Sequence, residues 1–187
     1  MNVGILAFQG DVSEHRDVLH KLNVEIVEVR SVQDMEKVSH VIIPGGESTV
    51  IARFLKDSGV GDLIIKRAKE GSLAVFGTCA GAIVISNEVT GKNAPDPLKL
   101  IDITIDRNAY GTQKDSFIAE LDVTAIEKRI SVAFIRAPRI TRVGSAVEII
   151  SKYQGEAVIV RSGRIMASTC HPEVCGEEGI HRMFLGM

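Results

Sequence analysis

Between Ser72 and Asn87 the sequence leaves the backbone little freedom. Ser72-Leu73-Ala74-Val75-Phe76 is a short apolar run that reads as a buried strand, and Ala82-Ile83-Val84-Ile85-Ser86-Asn87 reads as a helix. Only Gly77-Thr78-Cys79-Ala80-Gly81 separates them. A residue at such a junction must sit on a sharp, strained bend, and the glycines two before and two after Cys79 remove side chains that would clash there. The bend lifts Cys79 clear of the sheet and points it into a cleft. A helix start just behind it favours the thiolate, because exposed N–H groups and the helix dipole stabilise negative charge. Most cysteines are small buried hydrophobes; the strand–turn–helix setting is what favours a nucleophile here.

The chain before this turn alternates in the same way. Val3–Phe8 is a near-continuous apolar strand of the kind buried on both faces of a parallel sheet. Val12–Leu22 places Val12, Val18, Leu19 and Leu22 at helical spacing, Glu25–Val29 reads as a second strand, and His40–Ile43 as a third that stops at Pro44-Gly45-Gly46. Thr49–Leu55 and Asp62–Glu70 read as helices. Such alternation implies βαβ units with right-handed crossovers. After about Asn93 the character changes: Pro95 and Pro97 break the chain, and short β-like runs follow at Leu98–Asp106, Ser116–Val123, Ser131–Ile135, Val147–Ser151, Ala157–Arg161 and Ile165–Ser168. Several are joined too tightly for an intervening helix, so antiparallel pairing is expected there. Glu177–Leu185 reads as a short closing helix. The expectation is one α/β domain over residues 1–187, an open, mostly parallel sheet flanked by helices, with an antiparallel or mixed extension.

Bulk properties exclude several function classes. A net charge of −2 leaves no electrostatic footprint for nucleic acid or an anionic membrane, and 4% aromatic residues with no Trp argue against a base-stacking platform. No apolar run reaches membrane-spanning length, and the N-terminus lacks the basic flank of a signal peptide. Three cysteines with no Cys-x-x-Cys pair argue against a disulfide framework or a zinc knuckle, so a cytoplasmic protein with free thiols and no bound metal is expected.

A cysteine nucleophile needs a base and a group that orients it. Of five histidines, His171 stands out, because Ser168-Thr169-Cys170-His171-Pro172-Glu173 follows a strand. In an extended segment residues i and i+2 share a side, so Glu173 is expected to reach the His171 imidazole, with Pro172 favouring extended geometry before it. The set matches a Ser-His-Asp triad with other residue types. Gly45-Gly46 at a strand end lets backbone N–H groups approach a ligand without Cβ obstruction, and the N–H groups of Gly46 and Ala80 are the expected oxyanion donors. A phosphate loop does not fit, since Gly-Gly-Glu-Ser-Thr has no lysine; a plain turn stays open for this loop taken alone. Ligands of open α/β sheets bind beyond the carboxyl ends of the strands, where Gln9-Gly10-Asp11, Pro44–Thr49 and the Cys79 turn all fall.

Cys79 in Gly-Thr-Cys-Ala-Gly with His171-Pro172-Glu173 downstream resembles the triad (class I) glutamine amidotransferases. Gln9-Gly10, Pro44-Gly45-Gly46-Glu47-Ser48-Thr49, Arg107-Asn108-Ala109-Tyr110-Gly111 and Phe134-Ile135-Arg136-Ala137-Pro138 make it similar, within them, to the glutaminase subunits of pyridoxal 5′-phosphate synthases. The resemblance runs from Val3 to Glu173. It implies a flavodoxin-like fold and hydrolysis of L-glutamine to L-glutamate and ammonia through a thioester on Cys79. It implies ammonia transfer to a separate (β/α)8-barrel synthase subunit in a large hetero-oligomer, and no cofactor for this chain, pyridoxal phosphate being the product of the complex. By resemblance Glu47 takes the substrate's α-ammonium with Gly46 and Ser48 adding backbone contacts, while Arg107, Ile135 and Arg136 complete the glutamine pocket. An arginine suits bidentate carboxylate recognition, although a surface ion pair is the plainer role for Arg107 and Arg136. The chain departs from the family pattern at Thr112, often Arg, and it stops at Met187, where some relatives carry a longer helix.

Three rival readings remain: a glutaminase serving another amidotransferase complex, a non-catalytic docking module, and a cysteine protein of the DJ-1/PfpI kind. Intact Cys79, His171 and Glu173 speak against the second. Ala80 speaks against the third, whose histidine closely follows its nucleophile.

Overall fold

The computed structural model describes residues 1–107 and 116–187. The chain begins with β1 (Asn2–Leu6), α1 (Val12–Lys21), β2 (Glu25–Val29) and a one-turn helix α2 (Val32–Met35), whose Ser31 hydroxyl accepts from Asp34 N at 3.2 Å. Next come β3 (His40–Ile43), α3 (Ser48–Asp57), α4 (Val60–Lys69), β4 (Ala74–Thr78) and α5 (Ala80–Ile85). The second half carries β5 (Ser86–Thr90), β6 (Ile101–Asp106), β7 (Phe117–Val123), β8 (Lys128–Phe134), β9 (Arg139–Val143), β10 (Glu148–Tyr153), β11 (Glu156–Ser162), β12 (Ile165–Ser168) and α6 (Gly179–Leu185).

The central sheet runs β10-β11-β12-β4-β3-β1-β2. Its pairs from β12 through β2 are parallel, and β10-β11-β12 forms an antiparallel flank. The mostly parallel α/β sheet with an antiparallel extension is thus as expected. Two small sheets, β5-β6-β9 and the hairpin β7-β8, complete the fold. Strand alternation splits the core into two faces. Val41, Ile43, Val75 and Leu6 pack with α3, α4 and β6; Val3, Ile5, Ile42 and Phe76 pack with β7, β8 and α6. No helix among the described residues is long and apolar enough to cross a membrane.

One local expectation is corrected, and two elements were not foreseen. The helix after Cys79 ends at Ile85, and Ser86-Asn87 open strand β5 instead. Ser86 turns extended (φ −62°, ψ 166°) and its hydroxyl donates to Ile83 O at 2.8 Å, closing the helix end with a side-chain bond. Arg-Ile-Thr-Arg-Val forms β9, which its polar alternation concealed, and α2 forms between the second and third strands, where no element was expected.

The topology makes one edge special. The chain leaves β1 toward β2 and then returns to β3 on the other side, so the crossovers from β1 and β3 run in opposite directions from a switch point, the usual crevice for a ligand. Beside it β4 and β12 run parallel with Thr78 opposite Ser168. The residues that follow these two strands therefore emerge together.

Candidate active site

Cys79 adopts φ 48° and ψ −103°, a conformation that costs a non-glycine residue about 1–3 kcal/mol. Its surroundings hold it there. Cys79 N donates to Ser168 O at 2.7 Å, tying the turn to the end of β12. The flanking glycines are required by contact: a Cβ on Gly77 would lie 2.6 Å from the Gly81 carbonyl, and one on Gly81 would lie 1.9 Å from Ile43 O. The strained turn expected from sequence is present, closed against β3. Cys79 is buried at 9% exposure, with Sγ 3.9 Å from Ile135 O.

His171 reaches this turn from β12. Its backbone is clamped to β8: His171 N donates to Ala133 O at 2.8 Å and Ala133 N returns to His171 O at 3.2 Å. His171 Nδ1 donates to Glu173 Oε1 at 2.8 Å, so the expected pair forms. The expected route to it does not. Pro172 is helical (φ −64°, ψ −32°) and Glu173 opens a 3-10 turn over Glu173–Cys175. Glu173 meets the imidazole because the chain curls back, proline's fixed φ suiting a helix start as well as a strand. With Nδ1–H committed to carboxylate, the lone pair of the neutral ring lies on Nε2, which is buried and has no other hydrogen-bond partner in the described structure. In that form Nε2 can accept the Cys79 proton. Burial alone would lower the His171 pKa, but Asp11, Cys79 and Glu173 together hold it well above the ordinary histidine range, so the imidazolium formed by that proton is strongly favoured. Burial raises the pKa of Glu173, with the His171 bond working against it.

Two further features were not foreseen. Asp11 Oδ2 lies 3.1 Å from the same His171 Nδ1, from the loop before α1. With Glu173 these groups have the spacing of a three-ligand metal site, yet both oxygens converge on Nδ1 itself, where a proton already joins them. Behind Glu173 lies a buried histidine pair. His181 Nδ1 faces Glu177 O at 3.3 Å, a carbonyl that can only accept, so Nδ1 carries the proton and Nε2 the lone pair. His15 Nδ1, 2.9 Å from that lone pair, must donate to it, and His15 Nε2 then accepts the Thr78 hydroxyl at 3.1 Å. Both rings are neutral in this arrangement. Burial lowers both pKa values, that of His15 well below its usual value and that of His181 to about 4. His15 Nε2 is also 3.5 Å from Glu173 Oε1. The network thereby connects α1 and α6 to Thr78, the residue preceding Cys79. His15 shares the apolar face of α1 with Val18 and Leu19, and that spacing was its one sequence signal.

The residues expected to hold glutamine come from the segments after β3, β6 and β8, and except for Ser48 they are more exposed than the triad. Gly46 has φ +142°, a conformation that L side chains rarely adopt. Its loop is closed by the Gln9-Gly10 segment: Gln9 Nε2 donates to Glu47 O at 3.1 Å, and a Cβ on Gly10 would lie 1.7 Å from Gly45 O. Glu47 caps α3 through Thr49 N at 3.3 Å and forms an ion pair with Arg107, whose Nη1 also donates to Asn93 O at 2.7 Å. Ser48 is buried, its hydroxyl without a partner among the described residues. Ile135 lends its carbonyl to the Cys79 thiol, and Arg136 is exposed at φ 47°. Ala80 N, the other expected oxyanion donor, opens α5 directly after Cys79. Asn108, Ala109, Tyr110, Gly111 and Thr112 lie outside the described residues.

Residues 5–187 match the SNO glutamine amidotransferase family. A protein of Thermus thermophilus named pyridoxal 5′-phosphate synthase subunit PdxT is 42% identical, over 98% of this chain and 95% of the relative. Its namesake from Thermoplasma volcanium is 43% identical, over 100% of this chain and 94% of the relative. A solved structure described as a glutamine amidotransferase superposes with a TM-score of 0.93 at 41% identity, covering 98% of this chain and 97% of the other.

Proposed function

The chain belongs to the SNO glutamine amidotransferase family, and from that premise we propose that it is the glutaminase subunit of a pyridoxal 5′-phosphate synthase, hydrolysing L-glutamine to L-glutamate and ammonia. Residues 1–187 serve as one amidotransferase domain. The observation that carries this reading is a buried His171 with Nδ1 bonded to Glu173 at 2.8 Å and Nε2 open, beside a thiol held on a strained turn.

His171 takes the Cys79 proton on Nε2, and the thiolate attacks the carboxamide carbon of glutamine. The Gly46 and Ala80 N–H groups receive the oxyanion, each contributing about 10²–10³ in rate. His171 returns its proton to the departing nitrogen, leaving a γ-glutamyl thioester on Cys79 and free ammonia. A water deprotonated by His171 then attacks the thioester carbon and releases glutamate. Glu173 keeps the proton on Nδ1 throughout, which keeps Nε2 available.

Recognition draws on the Glu47–Arg107 ion pair. Glutamine presents an ammonium beside a carboxylate, so binding exchanges one ion pair for two: ammonium with Glu47 and carboxylate with Arg107. The Ser48 backbone, Ile135 and Arg136 complete the pocket. The chain holds no cofactor; ammonia passes to a (β/α)8-barrel synthase subunit in a larger assembly, which forms pyridoxal phosphate. The cytoplasm, where thiols stay reduced, suits free Cys79, Cys170 and Cys175.

The test is a glutaminase assay on the purified chain with and without that synthase, scoring both ammonia and pyridoxal phosphate. Glutamine-dependent formation of both is expected when the two are combined. Ammonia release without any support of pyridoxal phosphate formation would assign the chain to another amidotransferase complex, and no hydrolysis under either condition would make it a docking module.

A further inference from the structure

A donating His171 Nδ1 carries one hydrogen, yet two carboxylate oxygens lie within reach of it, Glu173 Oε1 at 2.8 Å and Asp11 Oδ2 at 3.1 Å. They come from opposite ends of the chain and from different surroundings. The Glu173 side chain is fully buried, whereas that of Asp11 is 31% exposed. The fold holds Asp11 in place from two sides. His15 N donates to Asp11 O at 3.3 Å as α1 begins, and Gly10 is pressed against the Gly45 carbonyl. Across from it, a Cβ on Gly45 would lie 2.5 Å from Asp11 Oδ2 and 2.6 Å from His171 Cε1, so carboxylate and imidazole meet over a bare α-carbon. Any side chain at position 45 would push them apart.

We propose that Asp11 is a positioning residue of the hydrolysis, a second carboxylate serving the same imidazole nitrogen as Glu173. The inference rests on the glutaminase reading above. When His171 accepts the Cys79 proton, a full positive charge appears in a buried site, and two anions stabilise it instead of one. Glu173 does so from the interior and Asp11 from the solvent side. Among the described residues the other titratable groups near the ring are the Cys79 thiol, His15 from α1 and the thiols of Cys170 and Cys175. Burial pushes the Cys170 thiol up to about 12 and raises that of Cys175, so these two thiols, like a neutral His15, add no competing charge. Asp11 acts through His171 and not on the substrate. Each carboxylate therefore covers in part for the loss of the other.

Asp11→Asn, Glu173→Gln and the double variant, in the full chain with the synthase subunit present, test this. Asp11→Asn is expected to lower kcat about three- to tenfold while the KM for glutamine changes less than about twofold. The double variant should lose more than the product of the two single losses, the mark of groups sharing one task. His171 imidazole titration followed by NMR needs no turnover, and its midpoint should fall in Asp11→Asn. An Asp11→Asn protein with unchanged kcat and unchanged His171 titration overturns the proposal. So does a kcat loss accompanied by a lower melting temperature with the titration unmoved, which would make Asp11 a structural residue of α1 alone. If the unaltered chain releases no ammonia the glutaminase reading fails, and the titration still decides whether Asp11 bears on His171.

Discussion

The pocket floor and its rim are built on opposite principles. On the floor, Cys79, His171 and Glu173 are at most 9% exposed, and backbone bonds to Ser168 and Ala133 fix the first two. On the rim, Glu47 and Arg107 lie partly in solvent and neutralise each other. The floor needs one geometry at every turnover, and burial with glycine-tight backbone contacts supplies it before glutamine arrives. A rim ion pair in solvent is worth only about 0–1 kcal/mol, so a substrate carrying both charges can replace it. On the proposed function, chemistry is placed where the backbone cannot yield, and recognition where side chains can exchange partners.

Breaking the floor should have the largest effect. Cys79→Ala is expected to lower ammonia release by about 10⁴-fold or more with the melting temperature little changed. Retained glutaminase activity would show that the floor is not where the chemistry occurs. The next largest effect is on stability against pH. His181 has a folded pKa of about 4 against its usual 6.5. A lowered folded pKa means the unfolded chain binds the extra proton, so this contribution is complete above about pH 6.5 and is lost as pH falls toward 4. The loss is about 3 kcal/mol for this group. Denaturant titrations between pH 7 and 4 should show that slope, and His181→Gln should flatten it; an equal slope in both proteins would place the acid sensitivity elsewhere. The smallest effect belongs to the rim. Arg107→Lys loses the planar fork but keeps the charge, and should raise the KM for glutamine about tenfold with kcat within about twofold. A fall in kcat at constant KM would instead join Arg107 to the floor and erase the distinction.

Much of the floor was legible because its signals are local. Glycines two residues either side of Cys79 mark the turn, although Gly81 is demanded by Ile43 O of β3, and an apolar run marks the strand before them. His171 and Glu173 are neighbours in sequence, so their pairing was foreseeable even though the backbone takes a helical turn between them. β9 was not legible, because Arg139, Thr141 and Arg142 leave only a weak alternation in a strand held by its pairing with β6. Asp11 was not legible either, since its meeting with His171 depends on the loops after β1 and β3 closing on each other.

By itself the sequence determined the strained cysteine turn, the histidine–glutamate pair and the α/β alternation around them. Each follows from sterics or hydrophobic period over a few residues. Only the tertiary structure decided that a second carboxylate shares His171 Nδ1 and that His15 and His181, 166 positions apart, bond at 2.9 Å behind the triad. Contacts over such separations leave no local pattern. They exist because α1 and α6 pack on the same face of the sheet and the loop after β1 meets the segment after β12 at its carboxyl edge.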